Sequence, residues 1–412
     1  MIPTRRSFLH TAALGVVGSA LSGESLLAGV PSVQQPALPL SQELGDRFDP
    51  WIEVEADALA HNVAEVRRLT ANRPILAVIK NNAYGLDLTT TAALLEPMPK
   101  VVGFAVVKVE AAIALKEAGI GKPVYLMGLF PESMAPELAH LGVRPCLYSE
   151  DALRLIEPMV QTVGEPIDAH IYLDTGMGRM GIPYYKALSW IESLVGSGKV
   201  RVGGVFMGFT EDPEFDREQL RRFMSVTEQA SDAGFSLGAR HAASSSAVFD
   251  LPESHLDMVR PGMALYGGYP NDPALQRERA SLRSTIRLKA RVVRVERLRS
   301  GDSVSYGRNF VAKEPTWVAT LPVGHTDGYP REAVEGARVL IDSRTYPVVG
   351  AVSASHTIVE VGSDPTVAVG DVATLFGPDA PEIDPNQFST ETGVSIYDIF
   401  MHLNPTLPRV VV

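Results

Sequence analysis

From residue 52 to about residue 268, short apolar runs alternate with stretches whose apolar positions recur at helical spacing. The apolar runs fall at 75–80, 101–107, 124–128, 144–148, 168–174, 203–209, 239–243 and 258–262. Most are apolar almost throughout, as parallel strands covered on both faces are. Between them the pattern predicts helices over 88–98, 110–118, 135–141, 151–163, 185–195 and 215–233. Ser149-Glu150-Asp151 and Asp212-Pro213-Glu214 offer N-terminal cap chemistry to two of these. Eight strand–helix units in about 220 residues are the arithmetic of a (β/α)8 barrel. A doubly wound sheet is the alternative, but its glycine-rich turn after the first strand is missing.

The texture changes after about residue 271. Partial alternation over 285–298 is followed by strand-like runs at 317–321, 339–341, 346–352, 357–361 and 371–375, separated by Gly, Pro and Asp turns. This predicts a mostly antiparallel β domain. The expected fold is therefore an α/β chain, a TIM-type barrel over 50–272 followed by a β domain over 273–412. Before it, Arg5-Arg6 precedes a small-residue apolar run that extends to about residue 27. Residues 1–30 read as a twin-arginine-type signal segment and 31–49 as a linker. The run is broken by Ser19, Ser22, Gly23 and Glu24, too weak for a stable membrane anchor. Export, to the periplasm, is the expectation; a cytoplasmic location is the alternative.

Composition narrows the choices. The 412 residues are 45% hydrophobic, enough for a large core. The formal charge of −11 argues against a general nucleic-acid binder. The single cysteine, Cys146, excludes an intramolecular disulfide and a cysteine-clustered metal site, and no metal is expected.

A barrel places its chemistry at the carboxyl ends of its strands. Lys80 ends the first apolar run, where partial desolvation would lower its pKa and free its amine. Arg179 follows the fifth run in a glycine-rich turn and offers a planar fork to an anion. Ser244-Ser245-Ser246 follows the seventh, and Arg260-Pro261-Gly262-Met263 lies at the end of the eighth. Hydroxyls and free amides there suit a phosphate. Each run has an ordinary reading by itself: a snorkelling lysine, a surface arginine, a polar loop. Together, a lysine and a phosphate cup indicate pyridoxal phosphate.

These motifs, with later ones, resemble the bacterial alanine racemases from about residue 51 to the C-terminus. Val78-Ile79-Lys80-Asn81-Asn82-Ala83-Tyr84-Gly85 is similar to the family's cofactor-lysine motif. The resemblance implies that Lys80 carries the cofactor as a Schiff base and that Tyr84 and Tyr397 reach its phosphate. It gives Arg179 to the cofactor phenolate and the substrate carboxylate, and Arg260 to the pyridine nitrogen. Ser244 and Ser245 lie beside the phosphate loop, and Gly262 and Met263 would lend it backbone amides. Tyr306, in Ser305-Tyr306-Gly307-Arg308, would be the second catalytic base opposite Lys80, supplied by the partner subunit of a head-to-tail homodimer. Ala354 occupies a substrate-side position. The implied reaction interconverts L- and D-alanine by two-base proton transfer at Cα.

The pattern also departs from the family. Tyr172 replaces a lysine that orients the arginine, and Gly208 replaces a histidine that links the base tyrosine to the ring-nitrogen arginine. Ser244 stands for an asparagine and His325 for a tyrosine. Ala354 and Ser355 stand where a methionine–aspartate pair is usual. Three readings follow: an alanine racemase, an exported racemase of broader or different specificity, and a non-catalytic cofactor-binding homologue.

Overall fold

The computed structural model describes residues 47–363 and 366–412. The twin-arginine segment and nearly all of the linker lie outside the described residues. Seven strands, Ile75–Val78, Val101–Val106, Val124–Leu126, Arg144–Leu147, Ile167–Asp174, Val200–Phe206 and Ala239–His241, pair in sequence order and in parallel. The eighth run closes the ring through a single parallel bridge from Val259 to Ile75. Leu76 N donates to Val259 O at 2.9 Å, Val78 N to Pro261 O at 3.0 Å, and Arg260 N to Ala243 O at 2.8 Å. Pro261 has no N–H to return the next ladder bond, so the eighth strand stays this short.

The expected helices form at Leu88–Leu95, Val109–Glu117, Ala135–His140, Ala152–Val163, Ala187–Gly196 and Pro213–Asp232. Asp212 caps the last of these, accepting from Glu214 N and Phe215 N at 3.1 and 3.0 Å. The cap expected near residue 151 does not form. Asp151 makes no side-chain cap bond, and its carboxylate turns to Arg154, 3.3 Å away. A further helix, Ala56–Leu69, packs Leu59, Val63 and Val66 into the core.

The β domain is one nine-stranded sheet and a two-stranded ribbon. In order, the sheet runs Arg294–Leu298, Thr316–Leu321, Thr357–Gly362, Arg344–Val349, Arg338–Ile341, Val372–Phe376, Ile286–Arg291, Trp51–Val54 and Arg409–Val411. All its pairs are antiparallel except the last. Trp51–Val54, grouped with the barrel on sequence order, belongs to this sheet. It pairs with Ile286–Arg291 on one side and Arg409–Val411 on the other. Both ends of the described chain are thus stitched into the second domain. No helix among the described residues is long and apolar enough to cross a membrane.

Candidate active site

The first strand end is built on an unusual turn. Asn81, Asn82, Ala83 and Tyr84 have φ of 53°, 55°, 51° and 55°, four successive left-handed residues, and Gly85 follows at 90°. Asparagine tolerates that conformation; alanine and tyrosine are strained in it. The turn persists because its neighbours over-determine it. Gly85 N donates to Asn81 O and Asn82 O, and Leu88 N to Asn82 Oδ1 at 2.9 Å. From the β domain, Arg409 Nε and Nη2 donate to Gly85 O at 3.1 and 2.8 Å. A Cβ at Gly85 would stand 2.2 Å from Phe400 O. The result fixes Lys80, half-buried, at the mouth of the barrel. Burial, and after it the charge of Arg179, holds the Lys80 amine below the usual lysine value.

The turn also drives Tyr84 inward. Its ring stacks on Tyr266, centroids 4.6 Å apart, and Tyr397 from the β domain lies at 6.5 Å. Burial raises both the Tyr84 and Tyr397 phenols, keeping them protonated donors. The Tyr84 hydroxyl presses on Gly262, where a Cβ would come within 2.1 Å of it.

The serine run divides its tasks. Ser245 Oγ accepts from Gly262 N at 2.9 Å and Ala264 N at 3.1 Å. The Gly262 amide, expected to face a phosphate, is therefore engaged within the loop. Met263 N makes no hydrogen bond among the described residues. Ser246 Oγ accepts from Asn271 Nδ2, away from the loop. Ser244 Oγ is buried with no partner among the described residues.

Arg260 is 7% exposed. Its Nη1 donates to His241 O at 2.6 Å and faces His241 Nδ1 at 3.0 Å. Nη2 donates to Met207 O at 2.6 Å and to Ala242 O at 3.3 Å. Burial pushes the guanidinium down to about 10, which still leaves it charged at neutral pH. Below it, His241 Nε2 meets His170 Nδ1 at 3.0 Å. Burial, then the charges of Arg144 and Arg260, pulls His170 down to about 3, so it is neutral.

Arg179 is exposed, on a loop that other residues shape. Asp174 Oδ1 accepts from Gly176 N and Gly178 N at 2.9 and 3.1 Å. Arg222 Nη1 donates to Thr175 O at 2.9 Å. Gln219, fully buried, donates to Thr175 Oγ1 at 3.3 Å and Gly208 O at 3.1 Å. Gln219 and Arg222 escaped the sequence reading. The available signal was polar residues three apart on a helix face that otherwise carries Leu220, Phe223 and Val226.

Lys80, Tyr84, Arg179, Ser244, Ser245, Arg260, Gly262 and Met263 thus gather at one end of the barrel, with Tyr397 against Tyr84. Tyr306 and Ala354 are not brought to them within one chain. Tyr306 sits on the turn between Ser303–Val304 and Phe310–Val311, 78% exposed, with no hydrogen bond or ring contact among the described residues. Ala354 is an exposed loop residue whose carbonyl accepts from Thr326 Oγ1 at 2.7 Å.

The fold and this strand-end site define a (β/α)8 barrel enzyme architecture with an appended β domain. Sequence profiles described as the alanine racemase N-terminal and C-terminal domains match residues 54–270 and 285–411. An alanine racemase of Carboxydothermus hydrogenoformans is 33% identical over 368 residues, covering 88% of this chain and 99% of that protein. One from Desulforamulus reducens is 31% identical, covering 87% and 98%. The solved alanine racemase from Streptomyces lavendulae superposes with a TM-score of 0.82 at 27% identity, over 89% of this chain and 97% of that one. The Clostridium difficile 630 alanine racemase gives 0.81 at 26% identity, over 88% and 95%. The chain belongs to the alanine racemase family.

Two outcomes test this geometry. Gly85→Ala should destabilise the protein by about 1–3 kcal/mol through backbone strain alone, measured by urea unfolding. Native His170 refuses a proton that the unfolded chain accepts below about 6.5, so stability should fall as pH drops from about 6.5 toward about 3. In His170→Asn, thermal unfolding followed across that window should lose less stability than wild type.

Proposed function

We propose that the protein is a pyridoxal-phosphate-dependent racemase acting on alanine. The observation that carries this reading is the half-buried Lys80, pinned by a strained turn beside a polar cup. The residues present fit the cofactor. Ser244 Oγ is a buried polar atom without a partner, and Gly262 is a contact point that any side chain would fill. Lys80 would hold the cofactor covalently. Ser244, Ser245 and the Met263 amide, with the protonated phenols of Tyr84 and Tyr397, would hold its phosphate. When bound, the cofactor withdraws electrons from the substrate Cα and makes its proton removable.

The chain's own groups then divide the work. Lys80 Nζ, with its lowered pKa, takes or returns a proton on one face of Cα. The Tyr306 phenol of a second copy serves the other face. Its exposure in one chain, on a turn with positive φ at Ser305 and Gly307, supports that placement. Arg179 binds the substrate carboxylate with a bidentate fork. Arg260 would lie on the side of the cofactor ring nitrogen. Its guanidinium keeps its proton, so it would leave ring protonation incomplete and disfavour side reactions that need a full electron sink.

Export by the twin-arginine route to the periplasm is part of the proposal, supported by Arg5-Arg6 and the weak apolar run after them. A wider side-chain preference is a second reading. It is favoured by the small, exposed Ala354 and Ser355 at substrate-side positions.

Protein loaded with pyridoxal phosphate and given L-alanine should produce D-alanine by chiral chromatography. A panel of single enantiomers separates narrow from wide preference, and no exchange with any of them would refute the proposal. Lys80→Ala and Tyr306→Phe should each be inactive or nearly so as homodimers. Mixed and reassembled, they should recover about a quarter of wild-type activity, since half the dimers carry one intact composite site. No recovery would place both bases in one chain.

A further inference from the structure

Strand Ile167–Asp174 sends Tyr172 into the barrel, where it is 4% exposed. Its ring stacks on Phe206 at 4.4 Å and 22°. Phe206 also lies 4.9 Å beneath the Arg260 guanidinium. The next residue, Met207, gives Arg260 its carbonyl, and the one after is Gly208. A Cβ on Gly208 would stand 3.2 Å from the Tyr172 hydroxyl and 3.4 Å from Met177 Sδ. Met177 belongs to the loop that carries Arg179, and Gln219 ties that loop to Gly208 O. The hydroxyl therefore stands where the Arg260 shelf meets the Arg179 loop. It makes no hydrogen bond among the described residues, yet it is not among their sealed, unpartnered polar atoms. Its oxygen is therefore not fully sealed.

We infer that Tyr172 is a substrate-binding residue whose hydroxyl donates to the α-carboxylate beside Arg179, and that the missing side chain at Gly208 is what admits it. The Arg260 guanidinium shares the Phe206 plate with Tyr172, and the loop that carries Arg179 borders the hydroxyl through Met177, so the anionic end of a zwitterionic amino acid is favoured there. A hydroxyl adds a donor there without adding a cation. Gly208 and Tyr172 thus form one steric unit. Any side chain at 208 competes with the hydroxyl for the same volume.

This inference rests on the racemase reading, and its test separates the two. In protein loaded with pyridoxal phosphate, Tyr172→Phe keeps the ring stack and removes only the donor. Cofactor loading and thermal stability should match wild type, while KM for alanine rises about tenfold and kcat changes less. Propionate, a carboxylate that cannot racemise, should raise the melting temperature of wild type more than that of Tyr172→Phe. Gly208→Ala should raise KM in the wild-type background, and should add little once Tyr172→Phe has removed the hydroxyl. Wild-type KM and a wild-type propionate response in Tyr172→Phe would overturn the inference, as would additive effects in the double variant. Absence of racemisation in the wild type would refute the proposed function instead. The propionate comparison would still decide the role of Tyr172.

Discussion

The site depends on four consecutive left-handed residues. Asn81 to Tyr84 spend backbone energy of about 1–2 kcal/mol for each residue poorly suited to that region. A turn like this survives only where the surroundings allow nothing else. Here the surroundings come from the other domain. Phe400 O leaves no room for a Cβ at Gly85, and Arg409 holds the Gly85 carbonyl with two donors. The same turn fixes the half-buried Lys80 at the mouth and drives Tyr84 inward against Tyr266 and Gly262. The β domain is therefore a structural part of the barrel's site, even before a second copy is considered.

A second constraint sits beneath. A guanidinium buried as deeply as that of Arg260 would be costly without partners. It finds three carbonyls and a neutral imidazole, and among the described residues no carboxylate is hydrogen-bonded to it. With no counter-anion bonded to it, the arginine keeps its positive field available toward the barrel mouth. The neutral His241–His170 pair continues the network downward without adding charge. Phe206 supports both Arg260 and Tyr172, so the cationic group and the phenol share one rigid plate.

Much of this was legible in the sequence. Parallel strands covered on both faces leave apolar runs, and these gave the barrel and put Lys80, Arg179 and Arg260 at strand ends. The helix Ala56–Leu69 was hidden because Asn62 interrupts its apolar face. That side chain is buried all the same, bonded to Leu265 O and Arg283 O at 3.0 and 2.8 Å. The left-handed turn was illegible for a different reason. Asn81-Asn82 permits it, but Ala83 and Tyr84 oppose it, and the groups that enforce it lie more than 300 residues onward. The use of the Gly262 amide by Ser245 depends on a loop contact that no local pattern encodes. Tyr306 stands out by its motif, whereas the fold of one chain leaves its ring exposed and apart from Lys80.

The central claim is that Lys80 is the amine that holds the cofactor. The most direct test is to load the protein with pyridoxal phosphate, reduce it with borohydride, digest it and locate the modified peptide by mass spectrometry. The account predicts one dominant phosphopyridoxyl group, on the Lys80 side chain, and none on that peptide in Lys80→Ala. Modification spread over surface lysines, with Lys80 unmodified, would contradict it.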